Sequence, residues 1–414
     1  MHRTTKVAVG VNALLALFTI TACGGDSGGA GAKADAKQTL TVWAMGTEGQ
    51  KLADVAKAYE KQHPNITIKV TPIGWDTVHQ KLVAAAAAGT LPDMAQMGST
   101  FMGEFAGMGV LEPVDETTFR KDDFFPAAWN GNVVDGKTYG VPWYVDTRAL
   151  YYRTDLAQQA GVTEAPSTWS DLQSLALGYQ STAKTKWGIS LQPSGLDTWQ
   201  NWLPFLYSAG GDLVKNGKPT LDTPESVRSL TEYRTYFDKG LAKKSVAPGY
   251  DVVKDFGNGS VPMFFSGPWQ ITNISTQFPA LKGKWKAVAV PGDKTSASFA
   301  GGSSLVTFNK SPHKAAATEF QKYLTSARQQ ADWFTRTSDL PANKAAWQQA
   351  PLASDAGLKV FGNQMATAKA VPPLAKWAEF GAQLDSAIES VTQGKASPAE
   401  AAKKMQSATE GLVG

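Results

Sequence analysis

Thirteen tryptophans stand in this chain, and several sit beside glycine or proline, where a loop would present them. Trp75, Trp143 and Trp269 are of this kind, and Trp43, Trp199, Trp202 and Trp377 join them as tryptophans in loops or near element ends, with acids, amides and one arginine close by in sequence. A flat apolar face next to fork-shaped polar groups is the chemistry that holds a ring with C–H faces and a rim of hydroxyls. Aromatic rings supply rigid area at low entropy cost, and Asp, Glu, Asn, Gln and Arg supply paired donors and acceptors. A pyranose has that shape. The segment Trp143-Tyr144-Val145-Asp146-Thr147-Arg148 gathers aromatics, an acid and a base within six residues.

The elements that must carry these groups follow from periodicity. Leu40-Thr41-Val42-Trp43 reads as a buried strand, and Lys51 to Gln62 as a helix with Leu52, Val55, Ala56 and Tyr59 on one face. Ile66 to Val70 alternates as a strand. Asp76 to Ala88 is helical up to Gly89, and Pro92 to Met97 is a third strand. Strand–helix repeats of this kind imply right-handed parallel crossovers and an α/β, doubly wound sheet. Ligands bind such sheets beyond the strand carboxyl ends. Here those ends are Trp43 to Glu48, Gly74-Trp75-Asp76 and Gln96-Met97-Gly98-Ser99-Thr100. Farther along, Asp135-Gly136 reads as a hairpin turn, and Ser170 or Thr168 as a helix cap.

The N-terminus predicts an address. A basic start with Arg3 and Lys6, an apolar run from Val7 to Ile20 and small residues ahead of Cys23 have the layout of a signal peptide over residues 1–22. Ile20-Thr21-Ala22-Cys23 resembles a bacterial lipobox, which implies lipidation at Cys23. That cysteine is the only one, so no intramolecular disulfide can form. Residues 23–37 are Gly-, Ala- and Ser-rich and read as a flexible tether. The expected location is outside the cytoplasm, anchored on the outer face of the cell membrane. The chain carries 43% hydrophobic residues and a net charge of +4 with acids and bases interleaved, which excludes a nucleic-acid footprint.

The middle of the chain carries a family resemblance. Ala149-Leu150-Tyr151-Tyr152-Arg153-Thr154-Asp155-Leu156, Pro166-Ser167-Thr168-Trp169-Ser170-Asp171-Leu172, Val261 to Trp269 with its Gly267-Pro268-Trp269 end, and Phe299-Ala300-Gly301-Gly302-Ser303-Ser304-Leu305 occur in an order similar to the family 1 extracellular solute-binding proteins. These are the maltose-binding-protein-like sugar receptors of ABC importers. Arg153 departs from the Asn or Asp usual after the second tyrosine. The resemblance implies a periplasmic-binding-protein type II fold, with two doubly wound lobes joined by a hinge of crossing strands. Residues 38–146 and 301–340 would form lobe 1, and residues 147–300 and 341–414 lobe 2.

On that basis the candidate ligand residues are Trp43, Glu48, Trp75, Gln96, Ser99, Thr100, Tyr144, Asp146, Arg148, Trp199, Trp202, Trp269, Gly301, Gly302, Ser303 and Trp377. Each has a plainer reading. Trp43 could pack in the core, and Trp199 with Trp202 could be one buried helix face. Asp146 and Arg148 could be a hinge salt bridge. Gln96, Ser99 and Thr100 could cap turns, and the two glycines could relieve a strand crossing. His63, His79 and His313 read as surface residues without partners. The expected ligand is a neutral di- or oligosaccharide of chitobiose, maltose or cellobiose type, delivered by a monomeric receptor to permease subunits. No cofactor or metal is implied. The rival reading is a secreted glycoside hydrolase with a Trp-lined cleft, which needs only two carboxylates across the bond.

Overall fold

β1 (Gln38–Met45) and β2 (Ile66–Ile73) pair in parallel along their full length, and β1 also pairs in parallel with β3 (Met94–Gly98). The structure is a computed structural model describing residues 37–247 and 249–413. The signal peptide, Cys23 and almost all of the tether expected above lie outside those residues. The crossovers are α1 (Gly46–Glu60) and α2 (Trp75–Ala88). α1 begins five residues earlier than periodicity predicts. Gly46, at φ 54°, turns the chain from strand to helix with no intervening loop, so Gly-Thr-Glu-Gly becomes a first helical turn. Gly89 closes α2 in the left-handed conformation, as expected.

The hairpin β4 (Val133–Val134) and β5 (Lys137–Thr138) turns at Asp135 and Gly136, both at positive φ. β6 (Val141–Asp146) then enters the large sheet, and β7 (Ala149–Arg153) leaves it. A small hairpin, β8 (Val214–Lys215) with β9 (Lys218–Pro219), precedes β10 (Met263–Ser266) and β11 (Trp285–Val288). β7 lies between β10 and β11, antiparallel to both, and the three form the second sheet. β12 (Phe299–Thr307) returns to the first sheet, antiparallel to β3 and β6, while β13 (Leu340–Pro341) adds to β6 and β14 (Lys369–Ala370) to β12. The first sheet therefore runs β13-β6-β12-β3-β1-β2. The fold is α/β and two-lobed, one lobe around each sheet.

Three neighbouring crossings link the sheets. Thr147 Oγ1 donates to the Phe299 carbonyl at 2.8 Å, and Gly301 pairs with Asp146 while Leu340 pairs with Val145. A shared apolar cluster containing Val141, Val145, Tyr151, Phe264, Leu340 and Phe361 runs under them. The lobe around the second sheet has its own core, dominated by Trp202, Phe205, Tyr233 and Tyr236 together with the C-terminal helices Trp377–Thr392 and Pro398–Thr409. Thr168 is the cap of helix Trp169–Ser181, in a reciprocal capping box with Asp171.

Arg153, the departure from the family pattern, is a buried structural staple. Its Nε and Nη2 donate to the two carboxylate oxygens of Asp155 at 2.8 and 2.7 Å, and Nη1 donates to the Phe256 carbonyl at 3.0 Å. A planar fork can tie the end of β7 to two other segments at once, which an asparagine could not.

Candidate functional site

Trp75 is the first residue of α2, so its backbone is set by the end of β2, and its ring lies across two glycines at the carboxyl edge of the sheet. A Cβ on Gly46 would come within 2.9 Å of Trp75 Cδ1, and one on Gly98 within 3.4 Å of Cζ3. The glycines make a floor on which the ring lies flat. Its other face is bare: Trp75 is 43% exposed. A large aromatic held this way on a rigid element is a ready platform.

Beside it lies a buried polar network. Glu48, in the first turn of α1, accepts a hydrogen bond from the Tyr144 hydroxyl at 2.8 Å through Oε1. That hydroxyl accepts in turn from Gln96 Nε2 at 3.1 Å and from Ser303 Oγ at 3.1 Å. Gln96 Oε1 takes the Met45 N–H at 2.7 Å, so both ends of the amide are bonded within the protein. Burial, reinforced by the Glu48 charge, pushes the Tyr144 hydroxyl well above its ordinary range. Asp339 joins the cluster from the segment before β13. Its carboxylate accepts from Trp333 Nε1 at 3.0 Å, and burial, with the Glu48 charge second, raises its pKa to about 8.

Across the crossings stands a second platform. Trp269 opens helix Trp269–Gln277 after Gly267-Pro268, and its ring rests on Gly267, where a Cβ would meet it at 2.0 Å. It is 37% exposed. Arg148 lies between this ring and Phe299, with its guanidinium 5.1 and 4.9 Å from the two centroids. One Nη of Arg148 donates to Asp146 and the other to Gln200. Gln200 belongs to helix Trp199–Ser208, whose N-terminus is held by Asp385. That carboxylate accepts the Asp197 and Trp199 N–H groups, both at 2.9 Å. Burial raises the Asp385 pKa to about 6 and moves Asp197 upward as well.

Several expected ligand residues are placed elsewhere by the packing. Trp202 is wholly buried, donates its Nε1–H to Ser229 Oγ at 3.1 Å and belongs to the core. Trp43 is half-buried and packs against the apolar layer beside α2, with Lys81 5.3 Å above its ring. Gln96 is a fully buried internal strut. Gly302, at φ 116°, is small because of the strand crossing, since a Cβ there would lie 2.3 Å from the Tyr144 carbonyl. Trp199 and Trp377 meet edge to face at 5.0 Å and are nearly covered. Ser99 and Thr100 are half-buried at the end of β3, where the Ser99 N–H donates to the Gly302 carbonyl at 3.1 Å. Gly301 pairs with Asp146 at the crossing and has room for a Cβ at 3.5 Å. Two of the three histidines read as unpartnered have side-chain partners: His79 Nε2 lies 2.6 Å from Glu104 Oε2, and His63 stacks on Tyr59 at 4.0 Å.

One surface escaped the sequence reading. A cavity of about 620 Å³ opens in the second lobe among Ser190, Gln192, Leu196, Asn201, Tyr250 and Phe265. Asn201 follows Gln200, so the cavity adjoins the Arg148 cluster along one helix. Gln192 Nε2 holds the loop by donating to the Leu196 carbonyl at 2.9 Å, and Gly195 and Asp197 take positive φ. The available signal was the Gln-Pro-Ser-Gly run ahead of Trp199, which reads only as a loop without its neighbours. Among the described residues no cluster of His, Cys, Asp and Glu could hold a metal ion, and no helix is long and apolar enough to cross a membrane.

The sequence profile described as bacterial extracellular solute-binding protein matches residues 54–360. The chain is 28% identical over 359 residues to a putative binding protein of Brucella abortus, covering 84% of this chain and 86% of that one. It is 26% identical over 430 residues to the diacetylchitobiose binding protein DasA of Streptomyces coelicolor, covering 98% and 97%. Among solved structures, the sugar-binding protein MalE of Xanthomonas citri superposes with a TM-score of 0.85 at 32% identity, covering 91% and 97% of the two chains. The GacH receptor of Streptomyces glaucescens, solved unliganded and with acarbose, gives 0.79 at 27% identity, covering 91% and 98%. With two lobes, three crossings and bare aromatic platforms beside them, the chain belongs to the bacterial extracellular solute-binding proteins, in the fold of their maltose-binding-protein-like members.

Proposed function

We propose that this protein captures a neutral di- or oligosaccharide between its lobes and delivers it to the permease of an ABC importer. The observation that carries this reading is the pair of exposed tryptophans, Trp75 and Trp269, each laid on glycine backbone at the first turn of a helix. A single exposed ring is ordinary on a protein surface, but an indole held rigidly on glycine backbone at a helix start, beside polar side chains, offers the flat face on which a pyranose can stack. Around them stand Glu48, Ser99, Thr100, Asp146, Gly301 and Ser303, with the second-lobe cavity providing Ser190, Gln192 and Asn201. These are acceptors and donors suited to hydroxyls. The guanidinium of Arg148 is already engaged by Asp146 and Gln200, which disfavours a uronate. Relatives named for diacetylchitobiose and maltodextrin, and a structural relative solved with acarbose, point to the same ligand class.

In this reading the lobes divide at residues 146, 301 and 340, and hinge motion at the crossings closes them on the ligand. Ligand that touches both lobes favours the closed state by its differential affinity. Lipidation at Cys23 would hold the receptor on the outer face of the membrane. The test is a thermal-shift panel of mono- and oligosaccharides with product analysis of each mixture. A ligand at a hundred times its Kd adds about 2.7 kcal/mol to apparent stability. A shift with one disaccharide series, sugars left intact, supports the proposal. No shift with any neutral sugar, or the appearance of shorter products, refutes it.

A further inference from the structure

The short helix α3 (Met102–Gly107) follows the end of β3 and carries two glycines four residues apart, Gly103 and Gly107. Residues so spaced share one helix face, and glycine inside a helix costs stability relative to alanine. Met102, Phe105 and Ala106, on another face, join the apolar cluster of Val78, Leu82 and Leu111. The glycines meet a segment far along the chain. A Cβ on Gly103 would lie 2.1 Å from the Pro373 carbonyl oxygen and 2.5 Å from the Leu374 carbonyl carbon. One on Gly107 would lie 3.7 Å from Ala375 Cβ. That segment belongs to the other core, since Val371, Leu374 and Trp377 pack in the cluster of Trp202, Phe205 and Tyr233. In the division at residues 146, 301 and 340, Gly103 is in the first lobe and Pro373 in the second. Among the described residues no backbone hydrogen bond joins the two segments. Ser99, just ahead of α3, and Val371, just ahead of Pro373, line one small space with Tyr144 and Gly301, so the contact borders the candidate site.

We infer that Gly103 and the segment 371–376 form the closing seam between the lobes, and that a side chain at position 103 would prop the lobes apart. The reason is steric. The three atoms nearest to a Cβ on Gly103 are all backbone atoms of Pro373 and Leu374. Backbone cannot rotate aside as a flexible side chain can, so one segment must retreat by more than an ångström. Within its own lobe α3 would gain from alanine, the better helix former. The cost therefore falls on the relative position of the lobes, because each segment is anchored in its own core. A seam between two cores, with no backbone bond across it, parts more easily than either core opens. Hinge motion at the strand crossings thus separates Gly103 from Pro373, and full closure brings them back to contact. Gly103 is in this way a positioning residue for the closed state. The inference concerns closure alone and does not depend on which solute the lobes take.

The test is ligand-free. The full chain carrying Cys23→Ser has no thiol, so Gly107→Cys and Ala375→Cys, both at exposed positions, supply a single pair. Their Cβ atoms would stand 3.7 Å apart, within the range a disulfide spans. Under a fixed oxidant, the rate of disulfide formation, read on non-reducing gels, reports how often the seam closes. The pair should oxidise to completion. Adding Gly103→Ala should slow that reaction about tenfold, while the reduced chain melts close to the parent pair. Hydrogen exchange on the pair without Gly103→Ala is a second reading. Oxidation should slow exchange in peptides covering 371–376 and leave the helix Trp199–Ser208 unchanged. No disulfide in the pair, or an equal rate with Gly103→Ala, overturns the inference. If Gly103→Ala fails to fold, the exchange decides: peptides at 371–376 already as slow as the core in the reduced pair would make the contact a fixed part of one core. Because no saccharide is present, either outcome leaves the sugar-receptor proposal to its own test.

Discussion

Replacing Asp339 by asparagine should make the protein less sensitive to alkali. In the native state the carboxyl is raised from 3.8 to about 8, first by burial and then by the charge of Glu48. In the unfolded chain it ionises near its ordinary value. Between about pH 4 and pH 8 the native state thus holds a proton that the unfolded state has lost, and stability falls as pH rises through that range, levelling above it. A shift of some four units corresponds to roughly 6 kcal/mol at most. Water entry and side-chain relaxation around a newly charged group reduce this to about 2–3 kcal/mol. In a folded body of about 380 residues, that is about 3–4 °C of melting temperature. Asparagine keeps an acceptor for the Trp333 N–H and cannot ionise. Thermal melts of both proteins at pH 5, 6, 7 and 8 supply the comparison. The gap between variant and parent should open by about 3–4 °C over the series, in favour of the variant. A gap that stays constant would mean that Asp339 is charged in the native state throughout, and the reasoning from burial would be wrong.

Trp75→Ala should weaken saccharide binding about ten- to hundredfold by isothermal titration while lowering the melting temperature far less than a core substitution does, because only the face lying on Gly46 and Gly98 is covered in the free protein. Trp202→Ala should do the reverse: about 3–5 kcal/mol lost in urea denaturation from the cavity left in the core, with little change in Kd for the molecules that remain folded. Gly302→Ala should cost at least ~2 kcal/mol, since it forces a side chain into positive φ and against the Tyr144 carbonyl; Gly301→Ala, where the nearest atoms stand at 3.5 Å, should cost less. Equal losses for the two glycine variants would show that the crossing yields more than its geometry implies.

Local signals were legible in the sequence because their causes are local. Gly89 ends α2, Asp135-Gly136 turns a hairpin and Thr168 with Asp171 caps a helix, and each depends on the φ freedom or side-chain reach of residues within three or four positions. The alternation of strands and helices, and with it the fold class, rests on the same short-range periodicity. The start of α1 was missed because Gly46 fell within Trp43 to Glu48, the stretch assigned to the strand's carboxyl end, whereas its positive φ serves to enter the helix directly.

The site was only half legible. Composition pointed to tryptophans, yet it could not separate Trp75 and Trp269 from Trp43 and Trp202. Whether a ring is bare or covered depends on groups far along the chain: Ser229 meets Trp202 from another helix, and Lys81 covers Trp43. Gln96 looked like a free amide at a strand end until Ser303, 207 residues later, and Tyr144 came to stand against it. The sequence by itself determined the elements and the kinds of side chain at their ends. Only the tertiary structure decided which of those side chains remain unspent, because burial and hydrogen bonding are settled by whatever the fold brings alongside.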